Sequence, residues 1–295
     1  MGVNVSPLAW ARALLLANIG IVLTGALVRL TDSGLGCPSW PKCDANRWTT
    51  HPALGIHGAI EFGNRLLTYV LVAIAVGTVV SVWRWPRSTS AMRRLTMALA
   101  AGIPLQGVIG GLTVLTDLNP WLVSLHLVLS MVLIAGTVVL IDQVASRPRQ
   151  RVSAPARRVV VLASVLTVVV VYLGTIVTGS GPHAGDAAAP RNGLDSYAFS
   201  HIHGFAAYVL VGATVACVVL LRGPARKAAS ALFAIEIVQA AIGVAQYNAG
   251  LPVALVAAHV LGAALLVAAA SAMTVRALSQ PMKGSAAAAT NNNAK

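Results

Sequence analysis

Eight apolar runs of about 20 residues leave this chain few folds to adopt, because each is long enough to cross a hydrocarbon core of roughly 30 Å as a helix. Backbone groups in such a core must bond within their own segment, which excludes open sheet. The runs are Leu8–Leu30, His57–Trp83, Leu95–Leu115, Trp121–Val144, Val159–Thr178, Ser200–Leu221, Ala228–Tyr247 and Pro252–Val275. With 57% hydrophobic and 10% charged residues and a mean hydropathy of +0.78, the composition excludes a soluble globular chain. The first run is read as a span rather than a cleaved signal, since it is long and continues into a glycine-rich motif instead of a small-residue cleavage site.

A net charge of +13 would suit a nucleic-acid partner, but its placement argues against one. Arg84, Arg87, Arg93 and Arg94 follow the second span, and Arg147, Arg149, Arg151, Arg157 and Arg158 follow the fourth. Arg222, Arg226 and Lys227 follow the sixth, while Arg12, Arg276, Lys283 and Lys295 lie near the termini. These make sixteen of the 21 basic residues, all on one side of the membrane. The positive-inside rule therefore puts both termini in the cytoplasm of a multi-pass cell-membrane protein, with lipid as its surroundings.

The second half of the chain repeats the first. Gln106, Gly110 and His126 map onto Gln239, Gly243 and His259 with a constant offset of 133, and His57-Gly58 maps onto His203-Gly204 with an offset of 146. Val28–Gly34 resembles Val177–Gly181 once two residues are dropped. Four spans separate the copies, so both keep the same orientation, as in a parallel repeat about an axis near the membrane normal. The expected fold is an all-α integral membrane protein with eight transmembrane helices in two pseudo-symmetric four-helix bundles. Residues 1–145 form the first bundle, 146–278 the second, and the Ala/Asn-rich stretch 279–295 a disordered cytoplasmic tail.

The repeat selects four of seven histidines: His57, His126, His203 and His259. Each opens a span that starts outside, roughly 7–12 Å into its helix at 1.5 Å per residue. Two imidazoles per bundle at matched depth is what two haems with bis-histidine ligation require. Taken singly, a membrane histidine more often bonds a neighbouring carbonyl; four in register point to ligands. A closed copper or zinc site is disfavoured for want of a third ligand nearby in the second half. His51 is a loop residue, and His201 points away from His203. His183, in a Gly-Ser-Gly-Pro-His-Ala-Gly-Asp loop, suits either a haem-edge contact or turn structure.

Ionisable groups inside a membrane are costly and mark function by default. His57, Glu61 and Arg65 share one helical stripe at i, i+4 and i+8. Glu61 maps onto Ala207 and Arg65 onto Val211, so the first bundle adds a carboxylate and a guanidinium to the shared histidines. Of the five basic residues on the outer side, Arg29 and Arg65 are placed to meet haem propionates bidentately; for Arg29 the other reading is interfacial snorkelling. Glu236, in the seventh span, reads as a protonated carboxyl bonded to a neighbour or a proton relay. Cys37 and Cys43, in a long outer loop, suit a structural disulfide or a redox dithiol, and Cys217 a packing role.

The run Leu27-Val-Arg29-Leu-Thr-Asp-Ser-Gly34-Leu-Gly-Cys37-Pro-Ser-Trp40-Pro-Lys-Cys43 resembles the signature loop of haem A synthases. Ile60-Glu61-Phe-Gly-Asn64-Arg65 and Thr178-Gly-Ser-Gly-Pro-His183-Ala-Gly-Asp186 resemble that family too, and the likeness covers nearly the whole chain. It implies oxidation of the C8 methyl group of haem O to the formyl group of haem A, for terminal oxidase assembly. By the same resemblance His203 and His259 ligate a haem b cofactor, and the first bundle holds haem O as substrate. Glu61 would then stand beside the reacting methyl, and Cys37 and Cys43 match the family's paired outer cysteines. One position departs: many members carry the first-bundle ligand three residues after the glutamate, where this chain has Asn64. His57 is taken as the ligand instead, with ligation by His126 alone as the second arrangement. Implied partners are a haem O synthase as donor, terminal oxidase assembly factors, and quinol or another electron-transfer partner; a homo-oligomer is compatible with the sequence. A di-haem b-type cytochrome that only passes electrons would have no use for Glu61 in one bundle. A transporter would need broken helices and a charged site at midplane.

Overall fold

The computed structural model describes residues 6–146 and 152–278, so the tail 279–295 and Arg147, Arg149 and Arg151 lie outside the described residues. The described chain is all-helical: α1 (Pro7–Leu30), α2 (Gly55–Trp83), α3 (Ser90–Leu115), α4 (Pro120–Val144), α5 (Ala154–Ser180), α6 (Ser196–Leu220), α7 (Gly223–Asn248) and α8 (Val253–Leu278). A single 3₁₀ turn, Pro52–Leu54, precedes α2. All eight helices are long and apolar enough to span a membrane, and the protein is a multi-pass membrane protein.

Helices α3, α5 and α7 begin several residues before the apolar runs do. The reason is physical: Arg93 and Arg94, Arg157 and Arg158, and Arg226 and Lys227 continue the helix through the polar interface, where Arg and Lys are good helix formers. Four starts are capped by side chains that accept orphan N–H groups. Ser6 accepts from Ala9, Thr89 from Met92, Asn119 from Trp121, and Asp195 from Tyr197 and Ala198.

Helix α1 packs on α2 and α4, α2 on α3, and α3 on α4, closing a first set of four. Helix α5 packs on α6 and α8, α6 on α7, and α7 on α8, closing a second. The sets meet where α8 lies against α1 and α4, and where α5 lies against α4. That seam has its own apolar core of Val22, Met131, Ile134, Ala264 and Val267. Inside the second set the core is rich in alanine (Ala156, Ala163, Ala225, Ala228, Ala229 and Ala270). Small residues let helices approach where no hydrophobic drive exists between helix and lipid. Large apolar side chains such as Leu16, Tyr69, Phe205 and Val219 are exposed, as a lipid-facing surface requires.

Close packing of α1 on α2 depends on one glycine. The Trp10 ring of α1 occupies the space that a side chain on Gly77 of α2 would enter. Gly77→Val should therefore cost about 1–3 kcal/mol by overpacking, seen as a lower thermal midpoint in detergent. Adding Trp10→Leu to the same chain should recover most of the loss.

Candidate functional site

In the second set, His203 of α6 and His259 of α8 face each other with ring centroids 6.3 Å apart and ring planes at 71°. Each ring is seated on a glycine of a neighbouring helix. A Cβ on Gly174 of α5 would come within 3.3 Å of the His203 Cε1, and one on Gly243 of α7 within 3.4 Å of the His259 Cε1. The Nδ1 of His203 lies 3.1 Å from the Val170 carbonyl. A carbonyl only accepts, so Nδ1 carries the proton and Nε2 keeps a bare lone pair. Gln239 donates to the backbone carbonyl of His259 at 3.0 Å, while the His259 Nδ1 and the Gln239 Oε1 are buried without partners.

These features fit a haem. An iron held between two imidazoles needs roughly 6 Å between ring centres, given metal–nitrogen bonds of about 2 Å. Among the described residues no three His, Cys, Asp or Glu side chains come together. Two imidazoles are the donors this site offers, a set that suits a macrocyclic group rather than a bare metal ion. Buried polar atoms without partners are rare in native structures and call for an explanation.

The first set repeats half of this arrangement. Gln106 donates to the backbone carbonyl of His126 at 2.9 Å and to the Ser130 hydroxyl at 2.5 Å. The His126 ring is seated on Gly110, with the same 3.4 Å to an added Cβ, and the His126 Nδ1 and Gln106 Oε1 are buried without partners. His57 differs. It is the third residue of α2, about 3 Å into the helix, whereas His126, His203 and His259 are the seventh, eighth and seventh residues of theirs, about 9–10 Å in. The expectation of equal depth therefore holds for three histidines and fails for His57. Its exposed ring meets the buried Ser33 hydroxyl through Nδ1 at 2.9 Å, because the loop after α1 folds back onto the start of α2. Further along α2, Asn64 accepts a hydrogen bond from Thr24 of α1 at 2.8 Å.

Glu61 and Arg65 do pair along the stripe, through Nη2 at 2.5 Å and Nε at 3.1 Å to the Glu61 Oε1. Both also hold the loop between α1 and α2. The Cys37 N–H donates to the Glu61 Oε2 at 2.6 Å, and Arg65 donates to the carbonyls of Cys37 and Lys42 at 3.1 Å each. Glu61 is only 5% exposed. Cys37 and Cys43 form a disulfide that closes this loop, and Trp40 within it lies on Gly111 of α3, next to the Gly110 that seats His126. The loop thus covers the mouth of the first set at the end where α1 passes to α2. Asp44, further along, accepts from the N–H groups of Asn46 and Arg47 at 2.7 Å each and pairs with His51 at 2.8 Å. The Asn46 N–H, ahead of Arg47 and His51, holds this carboxyl below the usual range.

Arg29 and His183 join the two sets. Arg29 donates to the His183 carbonyl at 2.6 Å and to the Thr178 carbonyl at 2.9 Å. The His183 Nε2 lies 2.9 Å from the Leu251 carbonyl, and the Gly34 N–H donates to the Gly185 carbonyl at 2.8 Å. Elsewhere, Glu236 accepts from the Thr214 hydroxyl at 2.7 Å while its Oε2 is buried without a partner. Cys217 is buried and free, and His201 caps back onto the Tyr197 carbonyl at 2.8 Å. Sequence reasoning passed over Gly174, Ser33 and Gly111. The Gly110-Gly111 doublet was the available signal for one of them; the other two are set by contacts between distant segments.

Comparison with known proteins agrees with this geometry. A family model described as the cytochrome oxidase assembly protein family COX15-CtaA matches residues 8–53 and 56–271. The chain is 30% identical over 212 residues to a haem A synthase of Methylorubrum extorquens, covering 58% of this chain and 54% of that protein. It is 32% identical over 187 residues to the haem A synthase of Symbiobacterium thermophilum, covering 58% and 60%. It is 32% identical over 136 residues to the haem A synthase of Halalkalibacterium halodurans, covering 44% of each. The chain thus spans about half the length of the curated relatives it matches.

Two outcomes follow from these contacts. Arg29→Ala strips two backbone carbonyls of a charged donor and should cost about 2 kcal/mol or more, read as a lower thermal midpoint of haem-free protein in detergent; an unchanged midpoint would deny Arg29 its joining role. Because the Asp44 pKa is depressed on folding, its contribution is present above about pH 3.9 and is lost as pH falls through the lower folded value. Acidification should therefore loosen the loop between α1 and α2, monitored by Trp40 and Trp48 fluorescence, and Asp44→Asn should abolish that step.

Proposed function

Because this chain belongs to the COX15-CtaA family of cytochrome oxidase assembly proteins, we propose that it is a haem A synthase. It is an oxidoreductase that converts the C8 methyl group of haem O to a formyl group and so supplies haem A for terminal oxidases. The observation that carries this reading is an asymmetry. Both helix sets seat a histidine on a helix glycine beside unpartnered buried atoms, yet among the described residues only the first adds a carboxylate–guanidinium pair, Glu61–Arg65, at its mouth.

In this reading residues 1–145 hold haem O as substrate, with His126 as ligand, and residues 146–278 hold haem b between His203 and His259. When bound, the haem iron supplies electron transfer and oxidising chemistry. The chain's own residues orient and shield. Gln106 and Gln239 hold the backbone of the ligand histidines, and the disulfide loop with Trp40 keeps bulk water from the first set. Glu61, held in place by Arg65 and the Cys37 N–H, stabilises positive charge developing at the methyl carbon or orients the attacking water. Arg65 retains one free N–H on Nη1 for a propionate. Arg29 and His183 brace the loop between the sets and so set the propionate edge.

The placement of Arg and Lys supports cytoplasmic termini in the cell membrane. The partners are a haem O synthase as donor, terminal oxidase assembly factors as acceptors, and quinol or another electron carrier.

Glu61→Gln tests the assignment in protein co-produced with haem O. The haem spectrum should persist while product formation falls about 100-fold or more. Full activity in Glu61→Gln, or loss of the haem spectrum, would contradict the role.

A further inference from the structure

The two haem sites are not built alike on their second axial side. In the second set the partner of His259 is the side chain that α6 sends to the Val170–Gly174 turn of α5, namely His203. Matching Val28 to Val177 makes Ile21–Gly25 of α1 the counterpart of that turn. The side chain that α2 sends there is Asn64, bonded to Thr24 at 2.8 Å, and no heavy atom lies within 4 Å of a Cβ built on Gly25. Gly174 seats an imidazole; its counterpart Gly25 has open space.

His57 does not reach this level. It sits seven residues before Asn64 on α2, about 10 Å nearer the outer end, with Nδ1 turned to Ser33. Asn64 spends its Oδ1 on the Thr24 hydroxyl, which leaves the Nδ2 donors without a partner among the described residues. An amide is a poor iron ligand beside an imidazole but a good donor to a small molecule held next to iron.

The geometry points to a first-set haem with one protein ligand, His126, and an opposite face left open to a small diatomic or water molecule that the Thr24–Asn64 pair orients. The second-set haem, closed by His203 and His259, has no such face. This rests on the haem-holding reading given above and adds to it which haem takes exogenous ligands: the substrate's own iron.

Carbon monoxide titration of the reduced, detergent-solubilised holoprotein, produced together with haem O, tests the inference without measuring turnover. One of the two haems should bind carbon monoxide and give a high-spin ferric signal before reduction. Asn64→His should abolish the uptake and turn that haem low-spin. His57→Ala should leave uptake and spin state as in the parent chain. Thr24→Val, which keeps the fold but frees the amide, should shift the C–O stretching frequency. Wild-type protein with two low-spin haems and no uptake would overturn the inference while leaving the functional reading intact. So would uptake that survives Asn64→His, new uptake in His57→Ala, or a stretching frequency unmoved by Thr24→Val. A folded chain that binds no haem at all would instead overturn the functional reading on which it rests.

Discussion

An imidazole buried among apolar helices is unfavourable unless its ring nitrogens are used. That constraint organises the molecule. His203 meets it with a carbonyl on one nitrogen and a facing ring 6.3 Å from its own centre. His126 and His259 meet it only in part, each leaving Nδ1 buried without a partner. Glycines 110, 174 and 243 let these rings lie close against a neighbouring helix, since an added Cβ would meet each ring's Cε1 at 3.3–3.4 Å. Gln106 and Gln239 donate to the backbone carbonyls of His126 and His259.

Electrostatics then separates the two halves. Glu61, which is buried, and the half-buried Arg65 form a pair that would be of doubtful value for stability alone. The pair does more than neutralise itself: it fastens the disulfide loop through three backbone contacts at Cys37 and Lys42. Covering the first set and placing a charge at its mouth are therefore one arrangement. Losing the carboxylate would leave the guanidinium and the loop without their shared anchor. At the same end of the helices, Arg29 uses the same chemistry, a guanidinium on carbonyls, to lock the two sets together.

Much of this was legible in the chain itself. The eight spans follow from length and apolarity, and the offset of 133 picked out Gln106, Gly110 and His126 with their partners; the structure gives those pairs matching contacts at the histidine carbonyl and at the glycine. The stripe at His57, Glu61 and Arg65 was legible as helical spacing, and two of its members do pair. The place of His57 was not. The His-Gly match to His203 is a local pattern, whereas depth depends on where α2 begins, and that is set by Gly55 and the fold-back of the loop onto Ser33. Nor could Arg29 be read as a brace, since its acceptors lie about 150 positions away. Side chains that act within one helix are visible in sequence; those defined by what crosses from another helix are not.

The most direct measurement is the haem inventory of cells that make this chain together with a haem O synthase, resolved by chromatography and mass spectrometry. Haem A should accumulate, and its amount should rise with the level of the chain. Haem O as the sole modified haem, alongside a folded and haem-loaded protein, would contradict the assignment.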